Sequence, residues 1–235
     1  MTQYNFSSIG IIHSCYKEKF GIPRQPSLVA CPAVIEIESA YSKEEAFREI
    51  ENFSHIWLLF VFHGIKNDNW KLTVRPPRLG GNKRVGVFAS RSMFRPNPIG
   101  LSVVELKSVE RKNNKIILNI IGGDFLDSTP VIDIKPYIPY SDSINDAEAG
   151  YAGEAPEIKL HVDFSDSANV ELEKAESKYP NLKLIITQIL QLDPRPAYQC
   201  DKRIKDEFAI KLYEYDLKWK VENDHVMVMS LTVVE

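Results

Sequence analysis

The sequence predicts a mainly β protein: an N-terminal antiparallel β-barrel over residues 1–145 and a smaller α+β domain over residues 146–235. Three observations carry that expectation. Residues 1–145 hold short apolar or alternating runs separated by Gly, Pro, Asn and Asp, the pattern of successive strands and turns. No G-x-G-x-x-G, P-loop or Ser/His/Asp ordering signals a common nucleotide or hydrolase fold. Beyond an acidic stretch the apolar period becomes helical and then alternates again.

Phe6 to Ile12, rich in isoleucine, reads as the first strand. Pro23 and Pro26 then bracket Arg24 and Gln25 in an extended loop, either a plain surface loop or a ligand rim with Arg24 and Gln25 as donors. Val34 to Glu38 alternates as a strand. Ser42 and Glu45 form a capping box, with Ala46, Phe47 and Ile50 at helical spacing, which predicts a short helix from Lys43 to Glu51. His55 to His63 is a near-continuous apolar run of β-formers, expected to be a strand buried on both faces. His63 at its end reads either as a site-lining residue or as a structural histidine. Leu101 to Glu110 and Lys115 to Ile121 are two strands of a hairpin turned at Asn113-Asn114. Gly122-Gly123 makes a further turn, and Val131 to Ile134 is a short strand. Asp133, Lys135 and Tyr137 alternate and so share one face, as a catalytic cluster or as an ion pair beside a packing tyrosine.

Ser141 to Glu157 is acidic and reads as a linker. Val170 to Lys178 is a charged helix, and a second helix from Asn181 puts Leu182, Ile185, Ile186, Ile189 and Leu190 on one stripe. It stops at D-P-R-P-A-Y, Asp193 to Tyr198. Phe208 to Val221 alternates as one strand and turns at Asn223-Asp224 into Val226 to Val233.

Between these elements lies the least ordinary stretch, Arg75 to Gly100. It holds six basic residues (Arg75, Arg78, Lys83, Arg84, Arg91, Arg95), no acidic one, four prolines and four glycines. That punctuation excludes a helix and predicts two rigid loops around a short strand near Arg84 to Ser90. An ordered backbone with clustered guanidinium forks suits phosphate or carboxylate; a solvated basic loop is the plainer alternative. The chain as a whole has formal charge −3, so attraction to an anion rests on this local patch. Cys15, Cys31 and Cys200 are far apart and odd in number, which argues against a disulfide framework and for a reducing, cytoplasmic setting. No metal is expected, because no H-E-x-x-H or Cys/His cluster occurs, and no membrane span, because the longest apolar run is Ile56 to Phe62.

Five motifs carry a resemblance: P-R-Q-P at Pro23, R-P-P-R-L-G-G-N at Arg75, F-R-P-N-P-I-G at Phe94, D-x-T-P-V-x-D-I-K-P-Y at Asp127 and D-P-R-P-A-Y at Asp193. Over nearly the full chain the sequence resembles the TrmO/TsaA family of β-barrel tRNA methyltransferases that use S-adenosyl-L-methionine. Two positions depart from the family pattern: Ser128 stands where the D-G-T-P turn has Gly, and Gly64 stands where Gln follows the strand-ending His. A backbone contact survives both changes; a side-chain contact from Gln does not.

The resemblance implies methylation of the exocyclic amine of N6-threonylcarbamoyladenosine at tRNA position 37 by a homodimer. It implies a cofactor site at Pro23, Arg24, Gln25, His63, Gly64, Arg91, Leu101, Asp127, Ser128, Thr129 and Pro130. Methyl transfer needs an in-line amine and a nearby group to take its proton; Asp127, Asp133 and Tyr137 are the candidates. Arg75, Arg78, Lys83, Arg84, Arg95, Lys135 and Arg195 suit RNA phosphates or the threonine carboxylate. Two other classes remain in competition: an RNA-binding barrel without chemistry, gripping a stem-loop with Phe88 or Phe94, and a nucleotide-dependent hydrolase using Asp and His. Binding of S-adenosyl-L-methionine separates the first reading from both.

Overall fold

The computed structural model describes residues 2–65, 70–158, 160–195 and 207–234. Pro196 to Tyr198 of the last motif, and Cys200, lie outside the described residues.

The first unit is a closed barrel of six antiparallel strands. β1 (Gly10–His13) pairs with β2 (Pro32–Ile37), and β3 (His55–Val61) crosses on the other side. A clip of β4 (Thr73–Val74) and β5 (Val85–Gly86) stands apart within the basic stretch. β6 (Ile99–Lys112), β7 (Lys115–Ile121) and β8 (Thr129–Pro136) complete the barrel in the order β1-β2-β7-β6-β3-β8. The β6–β7 hairpin turns where the sequence places it, with Asn113 and Asn114 both at positive φ (50° and 62°), the demand of a two-residue primed turn. Inside pack Ile12, Ile35, Ile56, Leu58, Phe60, Val104, Leu118, Ile120 and their neighbours. Phe60 pairs in register with Gly100, and a Cβ there would sit 2.2 Å from its ring, so only glycine lets that aromatic lie across the strand.

β3 corrects the expectation of two buried faces. Ile56, Leu58 and Phe60 face the core, while His55, Trp57, Leu59 and Val61 are half-buried on the outside. A barrel wall needs one packed face, and here the apolar outer face borders a cavity. The first strand is also shorter than expected, with residues 6–9 outside it. No α-helix spans 43–51: Glu44–Phe47 and Ile50–Asn52 are separate 3-10 turns, split by Glu49 in the left-handed region (φ 68°). Ser42 does not cap; its hydroxyl donates to the Ile37 carbonyl and accepts from the Ile116 amide, tying the turn to the barrel.

The acidic stretch opens with α1 (Pro139–Asp142) and docks on the basic loop, with the Tyr151 hydroxyl donating to the Ala89 carbonyl at 3.0 Å. The second unit is a four-stranded sheet, order β10-β11-β12-β9, with two helices on it. Its elements are β9 (His161–Phe164), α2 (Asp166–Glu176), α3 (Leu182–Gln191), β10 (Glu207–Leu212), β11 (Tyr215–Glu222) and β12 (His225–Val233). Ser165 caps α2 by accepting the Ala168 amide. The alternating run read as one strand is itself a hairpin, broken by Tyr213 at φ 52°. The second core also takes in Cys15, Tyr16, Val29 and Cys31 from the loop between β1 and β2, so that loop is shared by both units. Among the described residues no helix is long and apolar enough to cross a membrane.

Candidate functional site

Two of the motif loops meet through one side chain. Arg91 Nη1 donates to Gln25 Oε1 at 2.6 Å, joining the P-R-Q-P loop to the basic stretch. Both border a cavity of about 390 Å³ on the outer face of β3 and β6. Its walls are His55, Trp57 and Tyr137 on one side and Arg91, Leu101 and Val103 on the other. Tyr137 packs on Trp57 (ring centroids 5.9 Å apart) and edge-on to His55 (6.4 Å). The Trp57 indole donates to the Asp142 carboxylate at 2.9 Å, and the same oxygen accepts the Ile138 amide. Those bonds hold the Asp142 carboxyl below the ordinary range and fix the ring's orientation. A cavity of this size with a flat aromatic wall and one guanidinium suits a heteroaromatic ring carrying polar groups.

Of the remaining residues of the expected cofactor set, His63 and Gly64 follow the end of β3, and Asp127 to Pro130 lead into and begin β8. His63 Nδ1 lies 3.4 Å from the Thr129 hydroxyl, which donates to the Leu126 carbonyl. Lys19 donates to the Gly64 carbonyl. Pro23 is buried, Gln25 and Pro130 are half-buried, and Arg24 is exposed. Ser128 sits at φ 65°, so the turn needs the left-handed conformation that glycine adopts without strain. Its amide donates to the Ile12 carbonyl and its side chain is exposed. Ser128→Gly is therefore expected to stabilise the protein by about 1 kcal/mol, read as a raised denaturant midpoint with an unchanged slope. A Cβ on Gly64 would meet the end of the Lys19 side chain at 2.8 Å and Leu126 Cδ2 at 3.2 Å.

The three proton-acceptor candidates separate. Asp127 does not face the Arg91 cavity. It lines a second one of about 290 Å³ with His13, Lys17 and Tyr213. Its carboxylate accepts from Lys17 Nζ at 2.8 Å and the Ser14 amide at 2.9 Å. Burial would raise its pKa, but Lys17 and Ser14 outweigh burial and hold it below the usual carboxylate range. Asp133 accepts from the Ile134 amide and pairs with Lys135 at 2.8 Å, so the shared face holds an ion pair. Of the three, Tyr137 alone lines the Arg91 cavity.

The basic residues separate likewise. Arg95 is spent within its own loop, donating to the Val87 and Ser90 carbonyls beside the Phe88 ring. Arg84 donates to Thr73, and Arg78 to the Glu154 carbonyl of the acidic stretch. Arg75 and Lys83 are exposed. Arg195 forms a two-pronged contact with Asp193 at 2.7 and 2.8 Å and is largely buried over the Phe208 ring. Its fork binds a carboxylate of this chain and not the preceding helix's carbonyls.

Sequence reasoning missed one group. Asp124, between the Gly122-Gly123 turn and the Asp127 motif, is partly buried and accepts from the Ser102 hydroxyl at 2.7 Å. Burial pushes its carboxyl above the ordinary range, against the Ser102 bond and the charge of Arg91. No spacing motif marks it, since only the folded strands bring Ser102 beneath it. Among the described residues no His/Cys/Asp/Glu group is arranged to hold a metal ion.

Comparison with known proteins bears on the whole chain. The family model described as the tRNA-methyltransferase O N-terminal domain matches residues 11–143, and that of the TrmO C-terminal domain matches residues 157–234. A tRNA (adenine(37)-N6)-methyltransferase of Escherichia coli is 45% identical over 232 residues, covering 98% of this chain and 99% of that one. A putative S-adenosylmethionine-dependent methyltransferase of Pseudomonas aeruginosa is 43% identical over 218 residues, 92% of each chain. A crystal structure of TrmO from Pseudomonas aeruginosa superposes with a TM-score of 0.81 at 33% identity, over 99% of this chain and 98% of that one.

Proposed function

The chain belongs to the tRNA-methyltransferase O family, and from that premise we propose that it methylates N6 of a tRNA adenosine 37 already carrying a threonylcarbamoyl group. The coarser activity is that of an S-adenosyl-L-methionine-dependent tRNA adenine-37 N6-methyltransferase, the activity its relatives are named for. The observation that carries the reading is the cavity between Arg91 and the Trp57–Tyr137 wall, where two motif loops close on an aromatic surface.

The residues present fit the cofactor. The Arg91 guanidinium, bonded to the Gln25 amide side chain, lines the cavity with Leu101 beside the Trp57–Tyr137 rings, a donor and an aromatic face for a molecule bearing a carboxylate and a heteroaromatic ring. When bound, S-adenosyl-L-methionine supplies an electrophilic methyl on a cationic sulfur. Arg91 and Gln25 position that ligand. Trp57, held by Asp142, offers a face on which the target base stacks. Tyr137, beside it, accepts a hydrogen bond from N6–H and orients the nitrogen toward the methyl; the proton released as the N–methyl bond forms passes to water. Asp127 is a poor acceptor because Lys17 and Ser14 already hold its charge; its place is structural support of the turn that follows. The N6 amine in a threonylcarbamoyl adenosine is urea-like and a weak nucleophile, so orientation and proton removal carry much of the rate. Its carboxylate matches a guanidinium fork of the basic stretch. We propose further that the enzyme works as a homodimer, as the family resemblance implies.

Nucleoside mass spectrometry of tRNA from cells with and without the gene tests the reading. The methylated threonylcarbamoyl nucleoside should vanish without the gene while its unmethylated form accumulates. Comparable methylation in vitro of tRNA lacking the threonylcarbamoyl group would sink the substrate assignment.

The exposed basic residues give a second expectation. Lys83→Ala should raise the Michaelis constant for tRNA and flatten the salt dependence of binding by about one unit or less, because one phosphate contact and its released counterion are lost. Cofactor affinity should not move. Arg195→Ala should leave the salt slope alone, since its guanidinium is held by Asp193.

A further inference from the structure

A single exposed phenylalanine needs no explanation in a folded protein. Phe88 differs in how firmly it is held and in what surrounds it. Its side chain is 74% exposed, yet the backbone on both sides is tied down. Val87 before it is buried and donates its amide to the Leu72 carbonyl at 3.0 Å. Ala89 after it accepts the Tyr151 hydroxyl at 3.0 Å, and the Ser90 amide and hydroxyl both return to the Val87 carbonyl. Arg95 clasps the same turn through the Val87 and Ser90 carbonyls, and its guanidinium carbon lies over the Phe88 ring, 5.6 Å from the centroid. An ordered turn thus presents the ring to solvent with a cation against it. Arg75, Lys83 and Arg84 are exposed in the same stretch, and no acidic residue lies between Arg75 and Gly100. Phe88 stands three residues before Arg91, which lines the cavity, so their Cα atoms are at most about 11 Å apart.

We propose that Phe88 is a stacking platform for a base adjoining adenosine 37 in the tRNA loop. The inference rests on the tRNA reading above and deepens it. A base that enters a cavity for chemistry leaves the stack, and the neighbour it leaves loses a partner for one face. An aromatic side chain at the rim restores that contact whatever the neighbour's identity, since every base has a π-face. Because the turn is already ordered, little further freedom is lost when the base settles on it. Charge decides between an RNA base and a second copy of this chain. A two-fold contact through this surface would bring Arg75, Lys83 and Arg84 toward their own copies, like charge against like. The phosphates on either side of a stacked base match the same residues instead.

The test is steady-state methylation of tRNA by the full-length protein and its Phe88→Ala, Phe88→Trp and Phe88→Leu variants. In Phe88→Ala the KM for tRNA should rise at least about fivefold, the low end of what one base–aromatic stack contributes. The kcat and the calorimetric affinity for S-adenosyl-L-methionine should each stay within about twofold, and the salt dependence of tRNA binding should keep its slope, because a stack releases no counterion. Phe88→Trp, with a larger π-face, should bind tRNA at least as tightly as the unmodified protein. Phe88→Leu keeps apolar bulk without the π-face and should behave as the alanine variant does. Rescue by leucine would overturn the proposal, as would an unchanged KM in Phe88→Ala or a loss confined to kcat. A changed oligomeric state of Phe88→Ala in gel filtration would overturn it too, by assigning the ring to an interface between copies. Failure of the unmodified protein to methylate tRNA would instead overturn the functional reading on which the proposal stands, so the two failures are distinguishable.

Discussion

Arg91→Ala is expected to weaken binding of S-adenosyl-L-methionine by about ten- to a hundredfold while the fold stays intact. A hydrogen bond from a charged donor contributes about 1.5–3 kcal/mol, and 1.4 kcal/mol is one decade in affinity. Arg91 is exposed, so its loss leaves no cavity in the core. What is lost is the bridge to Gln25 and the cation on one wall of the cavity. Two controls separate these. Gln25→Ala breaks the bridge but keeps the guanidinium and should cost less. Arg91→Lys keeps the charge but not the planar fork and should fall between. Calorimetry gives the affinities and urea melts the stability. An Arg91→Ala protein with unchanged cofactor affinity would remove Arg91 from the site.

Much of the barrel was legible because its signals are local. The β6–β7 hairpin rests on Asn113-Asn114, residues that tolerate positive φ, and β3 rests on a run of β-formers. The failures have a common physical cause, tertiary contacts overriding local pattern. Glu49 takes the left-handed conformation and breaks the expected helix, because Ser42 is drawn to the Ile37 carbonyl and the Ile116 amide instead of capping. Tyr213 has no turn propensity to announce it. It turns the chain because its ring stacks on Tyr179 at 3.8 Å and its amide bonds the Cys15 carbonyl. β9, four residues long, exists because β12 offers it a parallel edge. In the site, the motif loops and their basic residues were legible; which of those residues are already engaged was not. Arg95, Arg195 and Arg84 look alike in sequence to Arg75 and Lys83, and only the fold shows their guanidinium groups already bonded within the chain. Asp124 was invisible for a related reason: its burial and its bond from Ser102 arise only when β6 and the end of β7 are brought together.

Trp219→Ala is expected to have the largest effect on stability, about 3–5 kcal/mol, because a large aromatic leaves a well-packed core and a cavity remains. Trp219 is 1% exposed and stacks between Phe208 (centroids 5.8 Å, 25° between planes) and Phe20 (5.9 Å, 11°). Phe208 belongs to the sheet of the second unit. Phe20 belongs to the β1–β2 loop that carries Pro23, Arg24 and Gln25. The stack therefore couples the second unit to the expected cofactor loop, and the substitution should also raise the dissociation constant for S-adenosyl-L-methionine several-fold. Trp219→Phe, which keeps a ring between the two phenylalanines, should recover most of both losses. The loop has other anchors on the barrel side: Ser27 donates to the Gly122 carbonyl at 2.7 Å, and the Tyr16 carbonyl accepts the Asp127 amide at 2.8 Å. If those anchors suffice, Trp219→Ala will melt early yet bind the cofactor normally at a temperature where it is folded. The coupling would then be refuted and the second unit would be a passenger to the site. If the coupling holds, affinity and urea midpoint fall together in the alanine variant and return together in the phenylalanine one. The second unit then acts as a buttress, which gives the β1–β2 loop its reason for packing into a core that is not the barrel's own.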